Sequence, residues 1–155
     1  MTQAGRPDGA VIGVVGQGSG AMAGFKRAGD TLTFFEIDPM VDRMARDPRW
    51  FTFISDCAAG PVQTVLGDAR LTLASEADAA YDFIFLDAFS SDAIPVHILT
   101  REAMMLYQRK LKPEGLLVFH ISNRHLDLKP AMAGLAESAV MEAWVSHCSV
   151  EPGSA

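Results

Sequence analysis

Short, continuous apolar runs recur along this chain, and segments with helical character separate them. The runs are Val11 to Val15, Val62 to Leu66, Tyr81 to Leu86 and Leu116 to Ile121, with Thr31 to Ile37, rich in Thr and Phe, as a further strand candidate. A strand with one wet face alternates apolar and polar residues, whereas a strand covered on both faces is apolar throughout. Continuous runs joined by helices therefore predict a parallel sheet, because each parallel connection must cross over through a helix, and does so right-handedly. The expected fold is a doubly wound, mostly parallel α/β sheet in one domain over 1–155, with 1–9 as a loop leader. No internal repeat or low-complexity tract competes with this reading.

The helical segments carry recognisable boundaries. After Gly16-Gln17-Gly18-Ser19-Gly20 a small-residue helix is expected through about Ala28. Asp38 followed by Pro39 is an N-cap with proline at the first helical position, opening a helix that runs to Arg46 and stops at Asp47-Pro48. Trp50 to Ala59 fits neither period, and its aromatics suit a pocket wall or packing over the sheet edge equally. Ala69 to Ala77 reads as a helix, and Ala88 to His97 as a polar loop. Thr100 caps a helix whose Ala103, Met104, Tyr107 and Leu111 share one face, with Lys112 to Gly115 turning the chain into the fifth strand. A last helix is expected from Lys129 to Glu142, and Trp144 to Val150 is a candidate sixth strand. Met40, Met44, Met104 and Met105 are expected to fill core gaps.

Composition removes several function classes. Hydrophobic residues are 49% and charged residues 21%, too apolar for a disordered chain. Lys plus Arg is 13 against 19 Asp plus Glu, a net charge of -6, so phosphate-backbone binding has no electrostatic basis and nucleic acid is excluded as a partner. No run reaches the roughly 18 apolar residues of a membrane span; Gly9 to Phe25, the longest uncharged run, holds six glycines. Cys57 and Cys148 lack C-x-x-C spacing, which points to a reducing, cytoplasmic setting. His97, His120, His125 and His147 have no i, i+3 or i, i+4 spacing, so they are read as satisfied histidines and no metal is expected.

Ligands of doubly wound sheets sit at the carboxyl ends of the strands, where the strand order reverses. There the chain places Gly16, Gly18, Ser19 and Gly20, a glycine loop between a strand and a helix that lets a ligand approach the backbone. Glu36, 20 residues after Gly16, ends the second strand, where a carboxylate accepts the hydroxyls of a ribose. The spacing is G-x-G-x-G rather than G-x-G-x-x-G, which favours a nucleoside over a dinucleotide. Asp68 follows the third strand and suits either an adenine amino group or the N-cap of the next helix. Asp87 ends the fourth strand and faces the crevice, placed to orient an amine or accept its proton, with Asp92 five residues on. The alternative for Asp87 is a turn cap through Ser90 or Ser91.

The stretches 16–20, Phe35-Glu36-Ile37-Asp38-Pro39, Gly67-Asp68-Ala69-Arg70, Leu86 to His97 and His120-Ile121-Ser122-Asn123-Arg124 resemble the spermidine synthase-like (polyamine aminopropyltransferase-like) branch of the S-adenosylmethionine-dependent methyltransferase-fold superfamily, close to its forms fused to transporter segments. The resemblance implies a transferase of polyamine biosynthesis with decarboxylated S-adenosylmethionine or S-adenosylmethionine as donor and no metal. Gly16, Gly18, Ser19, Gly20, Glu36, Ile37, Asp68 and Ala69 would hold the donor. Asp87 and Asp92 would act on a small-molecule amine such as putrescine. Where that family carries an Asp in the glycine loop, this chain has Ser19, which leaves room for a methionine carboxylate. Methyl transfer from the intact donor is thus the alternative activity, and a catalytically silent nucleoside-binding module the alternative class. Relative to the family, the chain reads as short of an N-terminal β segment and a last strand. A sheet edge exposing Leu117 and Phe119 is therefore expected to be covered by homo-oligomerisation.

Overall fold

The structure, a computed structural model, describes residues 9–87, 96–121 and 127–146. Its centre is a five-stranded parallel sheet of β1 (Val11–Val15), β2 (Thr31–Glu36), β3 (Gln63–Leu66), β4 (Tyr81–Leu86) and β5 (Leu111–Phe119), in the order β3-β2-β1-β4-β5. The order reverses between β1 and β4, and in sheets of this kind ligands bind at the carboxyl ends of the strands beside such a reversal. Four helices complete the described residues: α1 (Pro39–Arg46), α2 (Ala69–Ser75), α3 (Arg101–Lys110) and α4 (Lys129–Ser138).

The strand pleat divides the core in two. Val15, Phe35, Ile84 and Leu86 point to one face, where Leu73 of α2 and Ala103, Met104 and Tyr107 of α3 cover them. Val14, Leu32 and Phe34 point to the other, under Met22, Ala23 and Ile54. Both faces of β1 and of the central part of β2 are thus covered, which is why β1 is apolar throughout and β2 carries Leu32, Phe34 and Phe35 on alternate faces. Full burial of a side chain such as Leu73, Ile84 or Leu86 contributes about 1.5–3 kcal/mol.

Local chemistry sets the helix starts. The Asp38 carboxylate accepts the Met40 N–H at 2.7 Å with Pro39 at the first helical position, and the Thr100 hydroxyl accepts the Ala103 N–H at 3.2 Å. The buried Tyr107 hydroxyl donates to the Ile98 carbonyl at 3.1 Å, fastening α3 to the segment before it.

Several expectations are corrected. The helix after the glycine loop is only a 3₁₀ turn over Ala21–Phe25, because Lys26 is already extended. Phe53–Cys57, within the stretch that fits neither period, forms a π turn. Lys112 to Gly115 do not separate helix from strand: β5 begins at Leu111, beside Tyr81, and the four residues form an irregularity before Leu116 pairs with Phe83. The last helix ends at Ser138 rather than Glu142. Trp144 to Ser146 are exposed and not in a strand, and the rest of that candidate lies outside the described residues. On β5, Leu117 and Phe119 pack against the core, and Leu116 and Val118 are the exposed pair. Met104 is buried as expected, but Met40, Met44 and Met105 are exposed. Among the described residues no helix is long and apolar enough to cross a membrane.

Candidate active site at the carboxyl edge of the sheet

The carboxyl edge of the sheet is a row of candidate groups held by backbone hydrogen bonds. The ladder continues one residue beyond each strand: Gly67 N–H donates to Glu36 O (2.8 Å), Gly16 to Phe35 O (2.9 Å), Asp87 to Val15 O (2.8 Å) and His120 to Leu86 O (3.0 Å). Glu36, Gly16, Asp87 and His120 therefore occupy adjacent strand ends, with Asp68 one residue past Gly67. This is where the sequence placed the site, and the strand order explains why residues so far apart in the chain meet there.

The glycine loop turns tightly, with Gly20 N–H donating to Gln17 O at 2.8 Å. At Gly18 φ is +52°, and a Cβ built there would meet nothing within 4 Å, so the backbone faces open space. At Gly20 φ is +80°, and a Cβ would lie 2.8 Å from the Ile54 side chain. The first position can let a ligand in; the second needs glycine for packing as well as for its left-handed backbone. Ser19 lies between them, half-buried.

Glu36 anchors this loop. Its side chain is buried at the strand end, with Oε2 accepting the Gln17 N–H at 2.8 Å and Oε1 accepting the Asp38 N–H at 3.0 Å. A carboxylate has about four acceptor positions, so each oxygen keeps one lone pair for a ligand hydroxyl. Ile37 beside it is 67% exposed, a flat apolar surface at the rim.

A polar network beneath the loop escaped the sequence reading. Gln17 is buried, and its Nε2 donates to Asp42 Oδ1 at 3.0 Å while its Oε1 accepts the Thr64 hydroxyl at 3.1 Å. Arg46 closes the network, donating to Asp42 Oδ1 at 2.8 Å and Thr64 Oγ1 at 2.6 Å. Burial alone would raise the Asp42 pKa, but the hydrogen bonds from Gln17 and Arg46 hold the carboxyl below its ordinary value. Loop, α1 and β3 are thereby tied together. A lone glutamine inside a glycine motif carries no sequence signal for such a role.

The N-cap reading of Asp68 is the one the structure bears out. Its Oδ1 accepts the Arg70 N–H at 2.8 Å as the N-cap of α2, while Oδ2 lies 3.6 Å from His97 Nε2. Ala69 is the first helical residue after Asp68. Asp87 is 41% exposed at its side chain, and its Oδ1 lies 2.6 Å from His120 Nδ1. Asp92, Ser90, Ser91, His125 and Cys148 lie outside the described residues. His97 and His120, read as merely satisfied, each stand against a site carboxylate; their strand-end and loop-end positions, not their mutual spacing, were the signal. Among the described residues no three His, Cys, Asp or Glu side chains gather as a metal-ligand set.

A parallel sheet in this order, with a glycine loop after its first strand and an acid ending its second, is a Rossmann-like fold. No family model matches the chain. Within that class its similarity is to the spermidine synthase-like branch. It is 37% identical over 89 residues to a polyamine aminopropyltransferase of Vibrio vulnificus (strain CMCP6), covering 56% of this chain and 28% of that protein. A probable spermidine synthase from Corynebacterium glutamicum ATCC 13032 superposes with a TM-score of 0.62 at 27% identity, over 75% of this chain and 41% of that one. A spermidine synthase in complex with the transition-state analogue AdoDATO shares the fold, with a TM-score of 0.61 at 19% identity over 86% and 44% of the two chains. The chain thus spans less than half the length of each of these relatives.

Proposed function

We propose that this chain is an aminopropyltransferase-like enzyme that moves an aminopropyl group from decarboxylated S-adenosylmethionine to a small amine. The observation that carries the reading is the half-exposed Asp87 carboxylate at the switch point of the sheet, between the glycine loop and His120. The residues present suit the donor. Gly18 leaves open space for it, Glu36 keeps lone pairs for ribose hydroxyls, Ile37 offers an apolar face for the adenine ring, and Asp68 Oδ2 can accept from its amino group. When bound, the donor supplies a sulfonium whose neighbouring carbon is open to attack.

The chain's own task is to present an amine to that carbon. An alkylammonium has a reference pKa of about 10.4, as for Lys, and arrives as a cation. Asp87 attracts it and fixes its nitrogen. Loss of one proton exposes the nitrogen lone pair; the new C–N bond forms as the C–S bond breaks, and the electron pair returns to sulfur, which leaves as a neutral thioether. The acidic row Glu36, Asp68 and Asp87 attracts cations, in keeping with a polyamine-type acceptor.

Ser19 favours a second reading, methyl transfer from the intact donor, because a serine in the glycine loop adds no negative charge against a methionine carboxylate. The role of Asp87 in holding the amine is tested by Asp87→Asn with wild-type protein alongside. Thioether binding by calorimetry should change by less than threefold, and turnover of the amine should fall by about 10²–10⁴. Unchanged turnover in the variant would remove Asp87 from the mechanism.

A further inference from the structure

We propose that His120 is the proton acceptor for the attacking amine, held for that task by Asp87; this inference rests on the aminopropyl-transfer reading above. The two residues are the first beyond β5 and β4, and each main-chain N–H is fixed by the continuing ladder, His120 to Leu86 O and Asp87 to Val15 O. Their side chains meet at 2.6 Å between Nδ1 and Oδ1, the separation of a short, charge-assisted hydrogen bond. The imidazole is 52% and the carboxylate 41% exposed. Neither group is burying a polar atom in the core, so core satisfaction does not explain the pairing.

The contact decides the chemistry of the ring. A carboxylate oxygen only accepts, so Nδ1 carries the proton, and the lone pair of a neutral imidazole is then on Nε2. Asp87 also stabilises the imidazolium that forms when Nε2 takes a second proton, while its Oδ2, which has no protein partner among the described residues, keeps the substrate cation in place. For an alkylammonium, an imidazole (reference pKa about 6.5) is a better acceptor than a carboxylate (about 3.9). The balance is complete: the ammonium gives one proton to Nε2, the freed amine forms the C–N bond, the C–S pair goes to sulfur, and the imidazolium later releases its proton to water. Nothing beyond donor, amine and water is consumed.

His120→Asn and His120→Ala in the full chain separate this role from mere orientation. The Asn side-chain amide stands close to where Nδ1 stood and can still donate to Asp87, but it cannot take a proton. Turnover is followed with decarboxylated S-adenosylmethionine and an alkyl diamine, and binding with 5′-methylthioadenosine by calorimetry. Both variants should lose about 10²–10³ in kcat with KM for the amine within about threefold. Thioether affinity should stay within twofold, and added imidazole should restore part of the turnover of His120→Ala. A His120→Asn enzyme within threefold of wild type would overturn the proposal, as would a loss of turnover matched by an equal loss of thioether binding. Wild-type protein that binds the thioether yet transfers nothing would overturn the transfer reading itself, and this inference with it.

Discussion

Replacing Glu36 by Gln tests whether the site acid is also the anchor of the glycine loop. The carboxylate accepts two main-chain N–H groups, from Gln17 at 2.8 Å and Asp38 at 3.0 Å, while its side chain is buried. Glutamine is nearly isosteric but offers only one accepting oxygen. Whichever way the amide is turned, its NH₂ faces one of the two N–H donors, and that donor loses its partner. A hydrogen bond to a charged group contributes about 1.5–3 kcal/mol, and a buried donor left unpaired costs a similar amount. The variant should therefore be less stable by about 1.5–3 kcal/mol in urea unfolding. At roughly 2–4 °C per kcal/mol for a chain of this size, its Tm should fall by about 3–12 °C. Thioether affinity should weaken at least fivefold, because the same carboxylate is assigned the ribose and the loop above it loosens. Lost affinity with unchanged stability would leave the ribose role and refute the anchor. Lost stability with unchanged affinity would refute the ribose role.

Three further outcomes are expected. Burial would raise the pKa of Asp30, but N–H groups of Ala10 and Arg27 and the Arg27 guanidinium hold it below the ordinary value. Its contribution is therefore present above the unfolded carboxylate pKa and lost as pH falls through the lower folded one. Asp30→Asn should cost about 1.5–3 kcal/mol at pH 7 by urea unfolding, and the gap to wild type should narrow as pH drops below about 4; a constant gap would contradict this. Gly20→Ala, with φ at +80° and a Cβ 2.8 Å from Ile54, should destabilise by about 1–3 kcal/mol. Gly18→Ala, facing open space, should cost less, and equal losses would show that packing under the loop is immaterial. Tyr107→Phe should lower stability by about 1 kcal/mol, since only the buried hydroxyl bond to Ile98 is removed, and a neutral result would make that bond negligible.

What could be read from the sequence was what local chemistry decides. β1, α1 and β4 begin and end where expected, because Val11–Val15 and Tyr81–Leu86 are buried from both sides and Asp38-Pro39 and Asp47-Pro48 bracket a helix. Parallel pairing followed from the same dryness, and with it the place of Gly16, Glu36 and Asp87 on one edge. Tertiary contact decided the rest. Lys112 to Gly115 read as a turn because Pro and Gly dominate locally, yet Leu111 is drawn into the sheet beside Tyr81. The face of β5 was assigned wrongly because continuous apolar runs give no phase, so Leu117 and Phe119 could not be told from Leu116 and Val118. The Gln17 network and the Asp87 to His120 contact join residues 25 to 47 and 33 positions apart, and only the strand order brings them together.

The donor itself is the most direct test of the account. Wild-type protein is given equal amounts of decarboxylated and intact S-adenosylmethionine with an alkyl diamine, and the products are resolved by mass spectrometry. Aminopropylated amine with 5′-methylthioadenosine, and no methylated amine, is the predicted result. Methylated amine with S-adenosylhomocysteine, and no aminopropylated product, would contradict the proposed transfer and make Ser19 the mark of a methyltransferase.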